Sequence, residues 1–158
     1  MSGRVEKLWI KRAKRGPMDP AEELAVVRRT GIRTNADWGG RRQITVIEKE
    51  RWDAMMAQLG GAHVDPSARR ANVMVSGCDL GDTRHQILHL GDVRVQIVNE
   101  TRPCERMDEA FAGLRRAMAE PWNGGAYGII LDDGVIRIGD PVRLTDPDAD
   151  SRADGPPT

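Results

Sequence analysis

The chain lacks most of the features by which a sequence announces its chemistry. No apolar stretch approaches the ~20 residues a membrane helix needs, and Met1-Ser2-Gly3-Arg4-Val5 opens without the apolar core of a secretory signal. Neither membrane insertion nor export is expected. Only two cysteines occur, Cys78 and Cys104, 26 positions apart and without CxxC spacing, so a disulfide has no support and a reducing cytoplasm is the expected setting. The three histidines, His63, His85 and His89, do not pair at i, i+4 on any predicted helix, which predicts no zinc site. GxGxxG, Walker A and GxSxG motifs are missing, leaving nucleotide-fold and serine-hydrolase readings unsupported. The formal net charge is zero, which argues against bulk nucleic-acid binding.

That zero hides an asymmetry. Residues 1–51 carry 13 Lys/Arg against 7 Asp/Glu, whereas residues 52–158 carry 11 against 17. A basic first third suits an anionic ligand such as a phosphate. At 158 residues the chain is one domain's worth, long enough to bury a core without staples. The domain is expected over residues 1–145, and the polar run from Asp146 to the end is expected to stay unfolded.

Strand-like segments dominate, at residues 5–10, 43–47, 72–76, 86–90, 93–98, 126–131 and 135–138. The last two flank Asp132-Asp133-Gly134, a hairpin signal in which glycine supplies the positive φ. Gly91-Asp92 and Gly139-Asp140 sit in similar phrases, read as recurring strand–turn–strand units. Helices are few. Residues 49–59 place Trp52, Met55, Met56 and Leu59 on one stripe. Residues 105–120 carry a second stripe of Met107, Phe111, Leu114 and Met118, ended by Pro121. Short helical pieces are expected at 20–29 and 66–71, where proline suits a first turn. Many short strands with Gly/Pro turns and a few outer helices predict a β-rich barrel.

Chemistry concentrates at Cys104. It stands in Asn99-Glu100-Thr101-Arg102-Pro103-Cys104-Glu105-Arg106, with two arginines within two positions and a helical pattern just after it. A thiol at a helix N-terminus beside cations is biased toward thiolate, suited to nucleophilic attack, persulfide carriage or a soft metal. The competing reading is a buried small apolar residue. Lys11, Arg12, Lys14 and Arg15 cluster before Gly16-Pro17, either to grip phosphate or as a solvated edge. Arg69-Arg70-Ala71-Asn72 offers guanidinium forks and an amide from one loop, a group fit for phosphate or a polar heterocycle. Gly39-Gly40 and Gly124-Gly125 mark turns, the second also a candidate pocket wall.

Taken in order, these pieces resemble the MOSC domain, named for the C-terminal part of molybdenum cofactor sulfurase. The resemblance runs through Ile10-Lys11-Arg12-Ala13, Gly40-Arg41-Arg42-Gln43-Ile44-Thr45, Arg69-Arg70-Ala71-Asn72-Val73 with Gly77, Leu90-Gly91, Arg102-Pro103-Cys104 and Gly139-Asp140-Pro141-Val142. It implies a β-barrel-rich fold and a cysteine that carries sulfur or ligates molybdenum in a molybdenum-pterin cofactor. On that basis Cys104 is the catalytic thiol or metal ligand, and Lys11, Arg12, Arg69, Arg70, Asn72, Thr101 and Arg102 contact the cofactor. Family members reduce N-hydroxylated compounds or take part in sulfur transfer. No pyridoxal-phosphate desulfurase domain fits in this length, so the implied partner is a cysteine desulfurase or an electron-donor protein. Some larger relatives carry a Gly-Asp-His-type phrase where Thr34-Asn35-Ala36-Asp37-Trp38 stands here.

Overall fold

The structure, a computed structural model, describes residues 3–36, 38–103 and 105–147. Its strands are β1 (Gly3–Lys11), β2 (Met18–Ala21), β3 (Glu23–Val27), β4 (Gly31–Ile32), β5 (Ile44–Glu48), β6 (Val73–Ser76), β7 (Ile87–Leu90), β8 (Val93–Glu100), β9 (Ala126–Ile130), β10 (Gly134–Arg137) and β11 (Pro141–Thr145). The helices are α1 (Lys49–Gln58), α2 (Glu105–Ala110) and α3 (Leu114–Met118), with a 3-10 turn at Pro66–Arg69. Strands β11, β7, β8, β9, β5, β6 and β1 hydrogen-bond in that order, and β11 returns to β1, closing a seven-stranded barrel. The expectation of a β-rich barrel with few helices therefore holds. Strand β2 extends the sheet beside β1, and β10, β3 and β4 form a separate three-stranded sheet.

Burial follows the pleat. Val73 and Val75 of β6 enter the barrel core with Val5, Val46, Leu88, Leu90, Val95 and Ile130. Met74, between those two valines, faces outward with Ile47 onto Trp52, Met55, Met107, Leu114 and Met118, so the helices cover this wall as a second core. Strands covered on both faces lose polar alternation, which is why residues 44–47 and 73–75 read as near-continuous apolar runs. The pair β5–β6 is parallel, and the α1 helix with the 3-10 turn supplies the crossover a parallel pair requires. Gln43 locks the start of β5, its amide oxygen accepting from Ile130 N at 3.0 Å and its amide nitrogen donating to Gly40 O at 2.9 Å.

Three sequence expectations change. Residues 20–29 are strands β2 and β3 instead of a helix. Leu24 and Val26 are buried while Glu23 and Ala25 are exposed, a period of two, and β3 is paired on both edges. Pro20 is tolerated because β2 is an edge strand. Asp132-Asp133-Gly134 does not close a hairpin. Strand β9 pairs with β5 and β8, whereas β10 pairs with β3, and the two aspartates are engaged by Arg94 and the Arg28 N–H. The helix expected over 105–120 is two helices, broken where Gly113 takes φ +91°. Of the two Gly-Asp phrases, Gly91-Asp92 joins an antiparallel pair, β7–β8, whereas Gly139-Asp140 leads from the small sheet into β11.

No helix among the described residues is long and apolar enough to cross a membrane. The tail expected from Asp146 onward lies outside the described residues beyond Pro147.

Candidate functional site

The crossover between β5 and β6 ends in a rigid presentation of two arginines. Pro66 starts the 3-10 turn, and the Asp65 carboxylate caps it by accepting from Ser67 N at 2.9 Å. That backbone donor holds the Asp65 carboxyl below the usual carboxylate range. The turn stops at Arg70, whose φ of +65° is left-handed. Arg69 then donates from Nε to Gly124 O at 2.8 Å and from Nη2 to Arg102 O at 3.4 Å. Arg70 donates from Nη2 to Gly16 O at 2.6 Å, pinning the loop that follows β1.

Strand β8 reaches the same place. A bulge between Ile97 and Asn99 re-aims its end, and Thr101 follows with only 2% of its surface exposed. The Thr101 N–H donates to Gly125 O at 2.9 Å and its hydroxyl donates to Gly124 O. Thr101 and Arg69 thus meet on one backbone turn, residues 121–125, and the Arg102 carbonyl is tied to Arg69. A Cβ on Gly124 would collide with the Thr101 carbonyl, so this approach needs glycine.

Beside this junction lies a cavity of about 500 Å³ lined by Arg15, Met18, Ser67, Arg70, Glu109 and Ala110. Two guanidiniums and a hydroxyl against one carboxylate favour an anionic guest, and a planar guanidinium can bind a phosphate with two parallel hydrogen bonds. Of the four cations clustered after β1, Arg15 is the one on this wall. Arg12 is turned to Asp19, Nε to carboxylate 3.0 Å, with both side chains exposed. Lys11 is tied by its backbone, N to Asn35 Oδ1 at 2.8 Å, and its carbonyl accepts from Ala36 N.

Asn72 serves the frame. It is buried, its Oδ1 accepting from the Thr45 N–H and hydroxyl, both at 3.1 Å, and its Nδ2 donating to Asn35 Oδ1 at 3.2 Å. Asn35 is itself buried, and its Nδ2 has no hydrogen-bond acceptor among the described residues. Cys104 lies outside the described residues; Pro103 precedes it and α2, which ends at the cavity, begins at Glu105. Among the described residues no group of three His, Cys, Asp or Glu is arranged to hold a metal ion.

Sequence reading named Arg69, Arg70, Thr101 and Arg102, and the fold brings these four to neighbouring loops. It passed over Ser67 and Glu109, which carry no motif. The pairing of Asn35 with Lys11 and Asn72 had no local signal either, since the three are far apart in the chain.

The MOSC domain family model matches residues 33–143. Among solved structures, the YuaD protein from Bacillus subtilis superposes with a TM-score of 0.77 at 20% identity, over 91% of this chain and 96% of that one. YiiM from Geobacillus stearothermophilus gives 0.68 at 18% identity, covering 91% and 75%. YiiM from Escherichia coli gives 0.66 at 16%, covering 92% and 70%. At such identities these structures speak to the fold alone. No curated protein matches the chain significantly.

Proposed function

The chain belongs to the MOSC domain family, and from that premise we propose that it binds a molybdenum-pterin cofactor, with Cys104 as its sulfur ligand, and acts as an oxidoreductase or in handling that cofactor. The observation that carries this reading is the guanidinium-lined cavity beside the loop from which Arg69 reaches the Arg102 carbonyl, two positions before Cys104. The residues present fit the group. Arg15 and Arg70 neutralise a phosphate, and the Ser67 hydroxyl adds a donor. When bound, the group supplies a redox-active metal for which a thiolate is a suitably soft ligand.

The chain's own residues do the rest. Arg70, braced on Gly16 O, and Arg15 hold the anionic end. Arg69 spends its Nε on Gly124 O, so it fixes the Arg102 backbone and the approach to Cys104. Turnover as a reductase requires an electron donor. A reducing compartment such as the cytoplasm keeps Cys104 in its thiol form.

The test is metal content. Protein purified from a host that makes the cofactor is expected to contain molybdenum by plasma mass spectrometry, and Cys104→Ala to lose most of it. Full molybdenum in Cys104→Ala sinks the reading. The same arginines would also stabilise a persulfide anion, which makes a sulfur carrier the second reading. In that case a cysteine desulfurase with cysteine adds the mass of one sulfur to the metal-free protein, and Cys104→Ala takes none.

A further inference from the structure

Strand β1 breaks its own alternation beside a second cavity. Val5 and Leu8 both enter the barrel core, an odd spacing that a regular pleat does not allow. The register slips between Val5, which pairs with Val75, and Lys7, which pairs with Met74, so β1 holds one residue more than β6 over this stretch. Such a bulge re-aims side chains. Lys7 is exposed, whereas strict alternation with Val5 would turn it into the core.

Lys7 and Met74 both line a cavity of about 530 Å³ with Trp52 and Met56 of α1 and His63 and Val64 of the loop that follows it. The cavity is preformed. Gly61 N and Ala62 N donate to Met56 O at 3.0 and 3.2 Å, folding the loop back on the end of α1. The Trp52 indole N–H donates to Val64 O at 3.2 Å and fixes the loop further along. This cavity is distinct from the arginine-lined one: Asp65 and Pro66 contribute to its wall, whereas Ser67 and Arg70 line the other.

Its polar groups select the guest. Asp53 is taken by Lys49, Nζ to carboxylate 2.8 Å. Asp65 is taken by the Ser67 N–H, which together with the field of Lys7 holds its carboxyl low. Lys7 itself forms no ion pair with another described residue. The rim therefore still offers an ammonium and the His63 imidazole, both able to donate, above a floor of Trp52, Met56 and Met74. An aromatic and two thioethers with one uncommitted cation suit an apolar body that ends in an oxyanion, and the volume is that of a small-molecule site.

We propose that this cavity is a second ligand site, taking a small monocarboxylate with an apolar body whose carboxylate meets the Lys7 ammonium. The inference is independent of the cofactor-binding reading.

The experiment is an NMR titration of the isotope-labelled full chain with naphthylacetate, and with naphthylacetamide as its uncharged counterpart. Naphthylacetate is expected to shift the Trp52 indole N–H and the Gly61, Ala62 and Val64 amides and to saturate in the millimolar range or below. The amide is expected to bind about threefold to fivefold more weakly, the scale of one exposed ion pair. Lys7→Gln, at an exposed position, is expected to bring the acid down to the affinity of the amide, which a change of shape alone would not do. Ala57→Leu, which fills the cavity from an exposed helix position, is expected to abolish binding of both probes. Arg15→Ala, on the wall of the other cavity, is expected to change nothing. No saturable shift at these groups, equal affinity for acid and amide, an acid preference that survives Lys7→Gln, or binding that persists in Ala57→Leu overturns the proposal. So does an acid preference lost in Arg15→Ala, which would place the probe among the arginines of the first cavity.

Discussion

Gly124 meets two demands at once: it must come within contact of the Thr101 carbonyl, and its own carbonyl must face both the Thr101 hydroxyl and the Arg69 guanidinium. Gly124→Ala is expected to destabilise the fold by about 1–3 kcal/mol, the range for forcing a methyl into packed structure. Urea unfolding would show this as a lower midpoint, and an unchanged midpoint would refute it. The paired glycines were legible in the sequence as a turn and a candidate pocket wall. Their partners were not, because a backbone carbonyl that collects two side chains leaves no mark on residue type. Arg69, Arg70, Thr101 and Arg102 could be named because guanidiniums near a cysteine have an evident chemical use. Asn72 was named for the same kind of reason, yet its amide is spent on Thr45, Trp9 and Asn35. Sequence gives the donor and not the address.

Between α2 and α3 the chain breaks although the apolar spacing does not. Met107, Leu114 and Met118 are buried, but Phe111, which the four-three-four pattern places on the same stripe, is 38% exposed. The cause is Gly113 at φ +91°, followed by a fresh helix start in which the Asp108 carboxylate accepts from Arg115 N at 3.0 Å. Gly113→Ala forces a left-handed L-residue there and sets its methyl against Leu59, so a loss of ~1–2 kcal/mol is expected with far-UV circular dichroism unchanged. A gain in helical signal would mean that the two helices fuse and the break is not built in. Periodicity found the helices that cover the barrel and the crossover helix α1, because each presents a stripe to one core. It misread residues 20–29, where a proline suggested a helix start but the Leu24 and Val26 alternation belonged to a strand paired on both edges.

The barrel closes on a short seam. Strands β1 and β11 pair at Gly3–Val142 and Arg4–Pro141, reinforced by Val5 N to Asp140 O at 2.9 Å and Gly139 N to Val5 O at 2.8 Å. Ending the chain at residue 140 removes β11, uncovers the edges of β1 and β7, and is expected to abolish the cooperative thermal transition and promote aggregation. A sharp transition in that truncated protein would show that closure is dispensable. Strand identities were largely legible, since they rest on local pattern, but partners were not: the apparent hairpin around Asp132-Asp133-Gly134 splits between two sheets. The contacts that build the candidate site are of this non-local kind, Arg69 to Gly124 spanning 55 positions and Arg70 to Gly16 spanning 54. Contacts of such separation carry loop-closure costs that local ones avoid, and they slow folding accordingly. A chain emerging from the ribosome has therefore already delivered Arg69 long before Gly124 exists to receive it. The cavity is assembled just as late, since its wall is complete only when Glu109 and Ala110 have joined Arg15 and Arg70.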